Sequence, residues 1–477
     1  MRRLLTAIWL STFLVSLDYT AVNVALPSLA RTFDVGTSAI SWIALAYILV
    51  VVALTLPAGA AINRIGYLRA LGWSLVLFAL ASLLSALSSS LWALVAMRAL
   101  QGIGGSVMFA IGPAVIKTMF PAKTQGRAFA LFSTAATGGL CAGPAIGGQL
   151  TGLFGWESIF FFSLIAALLA LALVWSVARD AVRPAERAAS GSMGRMVSPL
   201  SVALACTGLF LFLLALNQGQ AWGWRSPPIL FLFVSSLATL ALLSSIERRA
   251  ASPLIEPAVF ASREFVASCA ILFPLLLVFG GTVFLMPFYL EWLRRDDAGL
   301  AGRILMIQPA ATIAGSFVSG LWLAGAMRRL VCALGVSLFA LGFALLANAD
   351  RHAPLAVLAV VLCLTGGGMG LFYPTLIQMG VSDVPNSLAA SASGLQAAGR
   401  SLAQLLGVVV FETVFSGLFP LALAVDRAAA ATGPALVDMQ RAFGVVFWLA
   451  AALAGLALLL CLLLMKPEKS AELRAGT

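Results

Sequence analysis

A chain of 477 residues that is 61% hydrophobic and only 10% charged is not a soluble globule, because soluble chains carry about a quarter charged residues. Its net charge of +11 could suit a nucleic-acid partner, but the lysines and arginines are spread over short segments between apolar blocks. That spread is what membrane topology requires, so the lipid bilayer is the expected partner and nucleic acid is not. The apolar blocks are about 20–25 residues long, enough to cross a hydrocarbon core. Taken in order, they predict helices at 4–27, 38–62, 69–88, 91–119, 127–152 and 157–178. Further helices follow at 198–217, 227–246, 264–291, 299–324, 329–348, 354–380, 387–418 and 441–465. The fold class is therefore an all-α integral membrane protein with fourteen transmembrane helices. The first block holds Asp18 and runs to Pro27 without a small-residue cleavage site, so it reads as a retained span rather than a signal.

With an even number of spans, both termini lie on one side. That side collects about 19 Lys and Arg residues and the other about 8, which marks the termini as cytoplasmic. The six cysteines stand singly in apolar helices without a C-x-x-C spacing, so neither a disulfide framework nor a metal site is expected. The single histidine, His352, sits at a loop beside Asp350 and Arg351 and reads as solvated.

The chain also repeats itself. A gap-free shift of 264 residues lays Gly102 on Gly366, Gly104 on Gly368, Gly143 on Gly407 and Arg64 on Arg328. Two six-helix halves related by an axis along the membrane normal would produce this order. The predicted organisation is a six-helix bundle at 1–178, linkers and an inserted helix pair at 179–263, a second six-helix bundle at 264–465 and a cytoplasmic tail at 466–477. The pair itself covers about 198–217 and 227–246.

Four stretches carry chemistry. The first is Leu17-Asp18-Tyr19-Thr20-Ala21-Val22-Asn23-Val24-Ala25-Leu26-Pro27. An aspartate inside a span is costly and should face the bundle interior. Asn23 lies five residues on, about 140° around the helix, so it need not share that face. The second is Gly59 to Arg69, containing Asn63, Arg64 and Gly66. The third, Arg98-Ala99-Leu100-Gln101-Gly102-Ile103-Gly104-Gly105, sets a cation and an amide beside glycines that permit close helix contact. Arg98 either snorkels to the membrane surface or stands as a fixed cation beside a carboxylate. The fourth stretch includes Gly139, Gly143, Pro144, Gly147 and Gly148. Its glycines at i, i+4 and i+8 form one bare stripe on a helix, while Pro144 removes a donor and clashes with the Leu140 carbonyl. A bent helix with a bare face suits a sliding or rocking contact.

Together these stretches resemble the major facilitator superfamily, in particular its fourteen-helix drug:proton antiporters, over almost the whole chain. The pattern G-x-x-x-G-P-x-x-G-G is similar to the family's antiporter motif on the fifth helix. L-D-x-T-x-V-N-V-A-L-P matches the first-helix motif, and R-x-x-Q-G-x-G the fourth-helix motif. The loop after the second helix resembles G-x-x-x-D-R-x-G-R-[RK], with Asn63 in place of the acid and Tyr67 in place of a base. Its charge lock should therefore be weaker. Glu157 departs from the family's arginine at the start of the sixth helix.

In the second half, Glu291 beside Arg294 and Arg295 reads as a solvated ion pair. Arg400 and Glu412 stand twelve residues apart, roughly 18 Å along a helix, and cannot pair directly. Glu412 is surrounded in sequence by valine and phenylalanine, a setting that disfavours its charged form. It is a candidate particular to this chain, for proton coupling or for a cationic substrate.

The resemblance implies a bacterial inner-membrane exporter that exchanges protons for small amphipathic or hydrophobic molecules, cationic ones among them, in a cavity between the two halves. Asp18, Asn23, Arg98, Gln101 and Glu412 are its candidate coupling and substrate residues. No cofactor is expected beyond protons as coupling ion, and no enzymatic activity. The alternative is a dedicated metabolite or siderophore transporter on the same fold. The sequence leaves open whether a periplasmic adaptor and an outer-membrane channel are needed, as for some members of the family.

Overall fold

The computed structural model describes residues 2–119, 122–179, 198–248, 257–322, 328–382, 384–385, 389–420 and 433–465. The described elements are helical. Six helices come first: α1 (Arg2–Phe33), α2 (Thr37–Ile65), α3 (Tyr67–Ala86), α4 (Leu91–Met119), α5 (Ala122–Phe154) and α6 (Glu157–Arg179). A pair follows, α7 (Pro199–Trp222) and α8 (Pro227–Glu247). The remainder are α9 (Arg263–Phe288), α10 (Ala298–Leu305), α11 (Ile307–Trp322), α12 (Arg328–Ala347), α13 (Leu355–Ser382), α14 (Ala389–Leu418) and α15 (Pro434–Leu464).

Among the described residues, twelve of these helices are long and apolar enough to cross a membrane. The other two predicted spans are the 33-residue α5 and the consecutive helices α10 and α11. The block read as one helix at 299–324 is broken after Leu305, two residues ahead of Ile307. The last helix starts at Pro434 rather than at 441, because a proline at the first position is already suited to a helix start. Large apolar side chains point outward on many of these helices, including Trp73, Phe231, Leu237, Phe317 and Leu463. Hydrocarbon is the solvent that such a surface requires.

The helices sort into two compact units, α1–α8 and α9 with α11–α15. The pair read as an insertion thus belongs with the first six helices. A buried polar clasp holds it there. Asn217 of α7 accepts a hydrogen bond from Trp42 Nε1 (2.9 Å) and donates to Ser41 Oγ (2.9 Å), while Ser38 donates to its carbonyl (3.3 Å). Direct hydrogen bonds of this kind replace water where water is absent.

Glycine sets the helix spacing in both units, and in the same pattern. In the first, a Cβ on Gly102 would meet the Tyr47 carbonyl of α2 at 2.7 Å, and one on Gly104 the Ser74 carbonyl of α3 at 2.8 Å. In the second, Gly366 of α13 meets Gln308 of α11, and Gly368 meets Gly335 of α12. Gly143 of α5 lies on Leu17 and Thr20 of α1, and Gly407 of α14 on Leu277 of α9. The repeat found by shifting the sequence is therefore a repeat of contacts: the equivalent helices approach equivalent neighbours.

The loop motif after the second helix lies on the end of α2. The side chains of Gly59, Asn63 and Arg64 are outside the described residues. Gly66 takes φ 92° and ends α2 where α3 begins, a conformation open to glycine and strained for other residues. Arg69 is exposed in the first turn of α3. Cys332 of α12 and Cys461 of α15 are buried free thiols, and Cys461 donates to the Met465 sulfur at 3.4 Å.

The α1–α5 contact gives a sharp test. Gly138 and Gly139 are adjacent, yet a Cβ on Gly138 would touch only the Phe13 ring at 3.8 Å, whereas one on Gly139 would collide with the Phe13 carbonyl and with Ser16 Cβ. Gly139→Ala should destabilise the purified protein by about 1–3 kcal/mol. Gly138→Ala should lie within about 0.5 kcal/mol of the parent. Thermal unfolding in detergent measures both, and equal effects would contradict the packing described.

Candidate functional site

The site is built on α1. Asp18 has no exposed surface, and Arg98 of α4 is 1% exposed. Arg98 Nη1 donates to Asp18 Oδ2 at 2.6 Å. Asp18 Oδ1 accepts from Gln101 Nε2 at 3.1 Å and from Ser163 Oγ of α6 at 3.0 Å. Gln101 Nε2 also donates to Ser82 Oγ of α3, and its Oε1 accepts from Arg98 Nη1. The remaining side of the guanidinium faces α2. Arg98 Nε donates to the Ile43 carbonyl at 3.3 Å, and the guanidinium lies 4.4 Å from the centroid of the Tyr47 ring. Four helices thus meet on one carboxylate and one guanidinium, and α3 joins them through Gln101.

Helix geometry explains why Arg98 and Gln101 act together: residues three apart lie on one face. Gly102 and Gly105 lie on the side facing α2, where Gly105 leaves space for the Tyr47 hydroxyl and Gly102 for the Tyr47 backbone. Gly104 lets α3 approach and brings Ser82 within reach. The R-x-x-Q-G-x-G-G stretch is a polar pair followed by the clearances that let it be enclosed. Snorkelling of Arg98 to the surface is ruled out by its burial.

The antiporter-like stretch of α5 packs on the opposite side of α1. Gly139 lies against the Phe13 carbonyl, Gly143 against Thr20, and Gly147 within 2.7 Å of Ala21 Cα by its ideal Cβ. The bare stripe is therefore filled by α1 within the same unit rather than left as a free sliding face. Pro144 and Gly148 are also buried. Pro144 cannot donate to the Leu140 carbonyl, and Thr20 Oγ1 approaches that carbonyl at 3.4 Å.

Of the residues singled out in the sequence, Asp18, Arg98 and Gln101 come together. Asn23 does not: it is buried but donates to the Tyr19 carbonyl of its own helix at 2.6 Å. Glu412 is fully buried on α14 among Val408, Val409, Phe411 and Phe415, and belongs to the second unit. Glu291 departs from its expected solvated setting. It is 6% exposed, inside a π turn at Tyr289–Leu293 that continues α9. His352 is exposed and accepts from Arg351, as a loop residue should. Sequence reading missed Ser82, Ser163 and Tyr47. Each shares its apolar helix with other polar or aromatic residues, and its role appears when the helices are assembled.

A buried pair of this kind is fragile in one direction. Removing one partner leaves an uncompensated charge, at a cost of about 3–5 kcal/mol. Asp18→Asn and Arg98→Gln should each destabilise on that order, and the double variant by clearly less than the sum of the two. A double-mutant cycle from thermal unfolding measures the difference, and additive losses would show that the two side chains do not interact.

Comparisons with known proteins agree with this architecture. The family model described as Major Facilitator Superfamily matches residues 8–408. The riboflavin transporter RibZ of Clostridioides difficile is 29% identical over 422 residues, which cover 86% of this chain and 88% of that protein. The multidrug resistance protein Stp of Mycobacterium tuberculosis is 26% identical over 416 residues, covering 86% of this chain and 75% of the relative. The solved xylose transporter XylE from E. coli, partially occluded and inward open, has a TM-score of 0.63 at 14% identity and covers 96% of each chain. At that identity the likeness concerns the fold alone.

Proposed function

The chain belongs to the major facilitator superfamily, a family of multi-pass membrane transporters rather than enzymes, and from that premise we propose that it exports small amphipathic or hydrophobic compounds, cationic ones among them, in exchange for protons. The setting is the inner membrane of a bacterium, with both termini in the cytoplasm. The observation that carries the reading is the enclosed Asp18–Arg98 pair with Gln101, Ser163 and Tyr47 around it. Intramembrane acids mark ion and proton paths.

The chemistry of such a pair is bistable. As a carboxylate, Asp18 accepts from Arg98, Gln101 and Ser163. A proton on Oδ2 replaces the contact with Arg98 and frees the guanidinium, which keeps the Tyr47 ring and the Ile43 carbonyl as partners. The helices that hold the acid and the base then lose a constraint. Glu412 supplies a second protonatable group in the other unit, and protonation there weakens the hold on a cationic cargo. A gradient drives the cycle when protonated and deprotonated forms favour different conformations. The multidrug resistance relative supports export of chemically varied compounds.

The riboflavin transporter relative supports a second reading, a dedicated metabolite transporter on the same scaffold. Both are tested in everted membrane vesicles with an imposed pH gradient, using a lipophilic cationic dye and riboflavin as cargo. The parent should concentrate the dye when the gradient is present, and Asp18→Asn and Glu412→Gln should each reduce that uptake at least about tenfold, as expected for loss of an essential protonation step. Unchanged gradient-driven uptake in both variants would refute the coupling role. Movement of riboflavin with none of the dye would favour the dedicated transporter.

A further inference from the structure

The second unit holds a cation inside the membrane that the coupling scheme does not use. Arg400 is on α14, whose apolar span covers Leu395–Leu418. It stands five residues into that span, about 8 Å from its start. Its guanidinium donates through Nη1 to the Tyr373 hydroxyl at 2.6 Å and lies 5.8 Å from the centroid of the Tyr373 ring. Tyr373 is seven residues inside the end of the span Leu355–Gly380 of α13, about 10 Å deep. The arginine head is therefore drawn toward a partner within the span. Snorkelling would take it to the surface instead.

The partners of Arg400 are incomplete. Among the described residues it makes no ion pair with a carboxylate, and Nε is buried without a hydrogen-bond partner. The side chains of Arg400 and Tyr373 are both half-buried rather than enclosed. Beside them, a Cβ on Gly399 would meet nothing within 4 Å, so the backbone there borders open space. One turn back, Gln396 turns its Nε2 to Ser268 Oγ and the Leu376 carbonyl, and among the described residues it makes no hydrogen bond to the guanidinium. Arg98 shows the contrast: its carboxylate, amide, carbonyl and ring partners leave it enclosed.

A planar guanidinium with free donors recognises oxyanions through paired hydrogen bonds. A tyrosine beside it adds a hydroxyl and an aromatic edge that pack against a flat ring. We propose that Arg400 and Tyr373 form a recognition site for the oxyanion of a planar organic cargo, so that the transporter accepts anionic aromatic compounds in addition to cationic ones. Arg400 supplies the charge, and Tyr373 holds the guanidinium in place and lines the ring side. The inference rests on the exporter reading for its biological meaning, but the site itself is a binding site and is tested without any gradient.

The test uses two dyes of one ring system and opposite charge, fluorescein and rhodamine 6G, bound at equilibrium to the purified full chain and followed by fluorescence anisotropy at fixed pH. The parent should bind both. Arg400→Gln should weaken fluorescein at least tenfold and leave rhodamine 6G within twofold. Arg400→Lys, which keeps the charge but not the planar fork, should fall between, and Tyr373→Phe should weaken fluorescein by a smaller factor. Failure of the parent to bind fluorescein, an unchanged affinity in Arg400→Gln, or an equal loss of both dyes in that variant would each overturn the proposal. Because no pH gradient is imposed, failure of proton coupling leaves this readout intact.

Discussion

A carboxylate buried among apolar helices has to be matched, and the first unit is arranged around that requirement. Asp18 has no access to solvent, so its charge is tolerable only while Arg98, Gln101 and Ser163 reach it. Reaching it fixes the distances between helices. Arg98 and Gln101 come from α4, and α4 can lie close to α2 and α3 only because Gly102, Gly104 and Gly105 have no side chains there. The polar pair and the glycines after it are therefore one device. A side chain on the glycines would move α4 away and leave the acid unmatched.

The same helix carries a second dependence on its other side. Pro144 leaves the Leu140 carbonyl without its helical donor, and Thr20, two residues after the buried acid, brings its hydroxyl to that carbonyl. The stripe of Gly139, Gly143 and Gly147 then lets α5 lie directly on the α1 backbone. Motifs that are far apart in sequence are two halves of one contact. In sequence a stripe of small residues reads as a surface for sliding, but here it clamps α5 onto the segment that bears Asp18. A displacement of α5 would push on Leu17 and Thr20, the residues flanking the carboxylate. The contact ties the proline-containing helix to the segment that bears the buried pair.

The sequence made most of the fold legible because span length and apolarity are local properties. Blocks of apolar residues gave the helices, and glycines at a fixed shift gave the two repeats. The break after Leu305 has a mark in the sequence, since Pro309 has no N–H to donate to the Leu305 carbonyl four residues back. The burial of Glu291 was hidden, since two arginines beside an acid look solvated until a π turn carries the acid inward. At the site, Asp18, Arg98 and Gln101 stood out because charge is conspicuous in an apolar run. Ser82, Ser163 and Tyr47 did not, because a lone serine or tyrosine in a span commonly bonds to its own helix, as Ser74 and Ser106 do here. The Asn217 clasp was equally silent, since nothing in one helix announces the partner in another.

The two repeats share their glycine contacts but not their charges. Beyond Glu264 at its start, α9 carries no acid, and α13 carries no base, although these helices take the places of α1 and α4. Among the described residues the second unit therefore has no counterpart of the Asp18–Arg98 pair. Its ionisable residues within the spans sit elsewhere, with Arg400 and Glu412 three turns apart on α14 and Glu291 at the end of α9. Close packing is needed by both units, so duplication preserves it. A buried ion pair is a chemical commitment, and among the described residues the first unit alone makes it. In the second unit Arg400, which among the described residues hydrogen-bonds to Tyr373 alone, is suited to meeting a cargo in a way that the fully matched Arg98 is not.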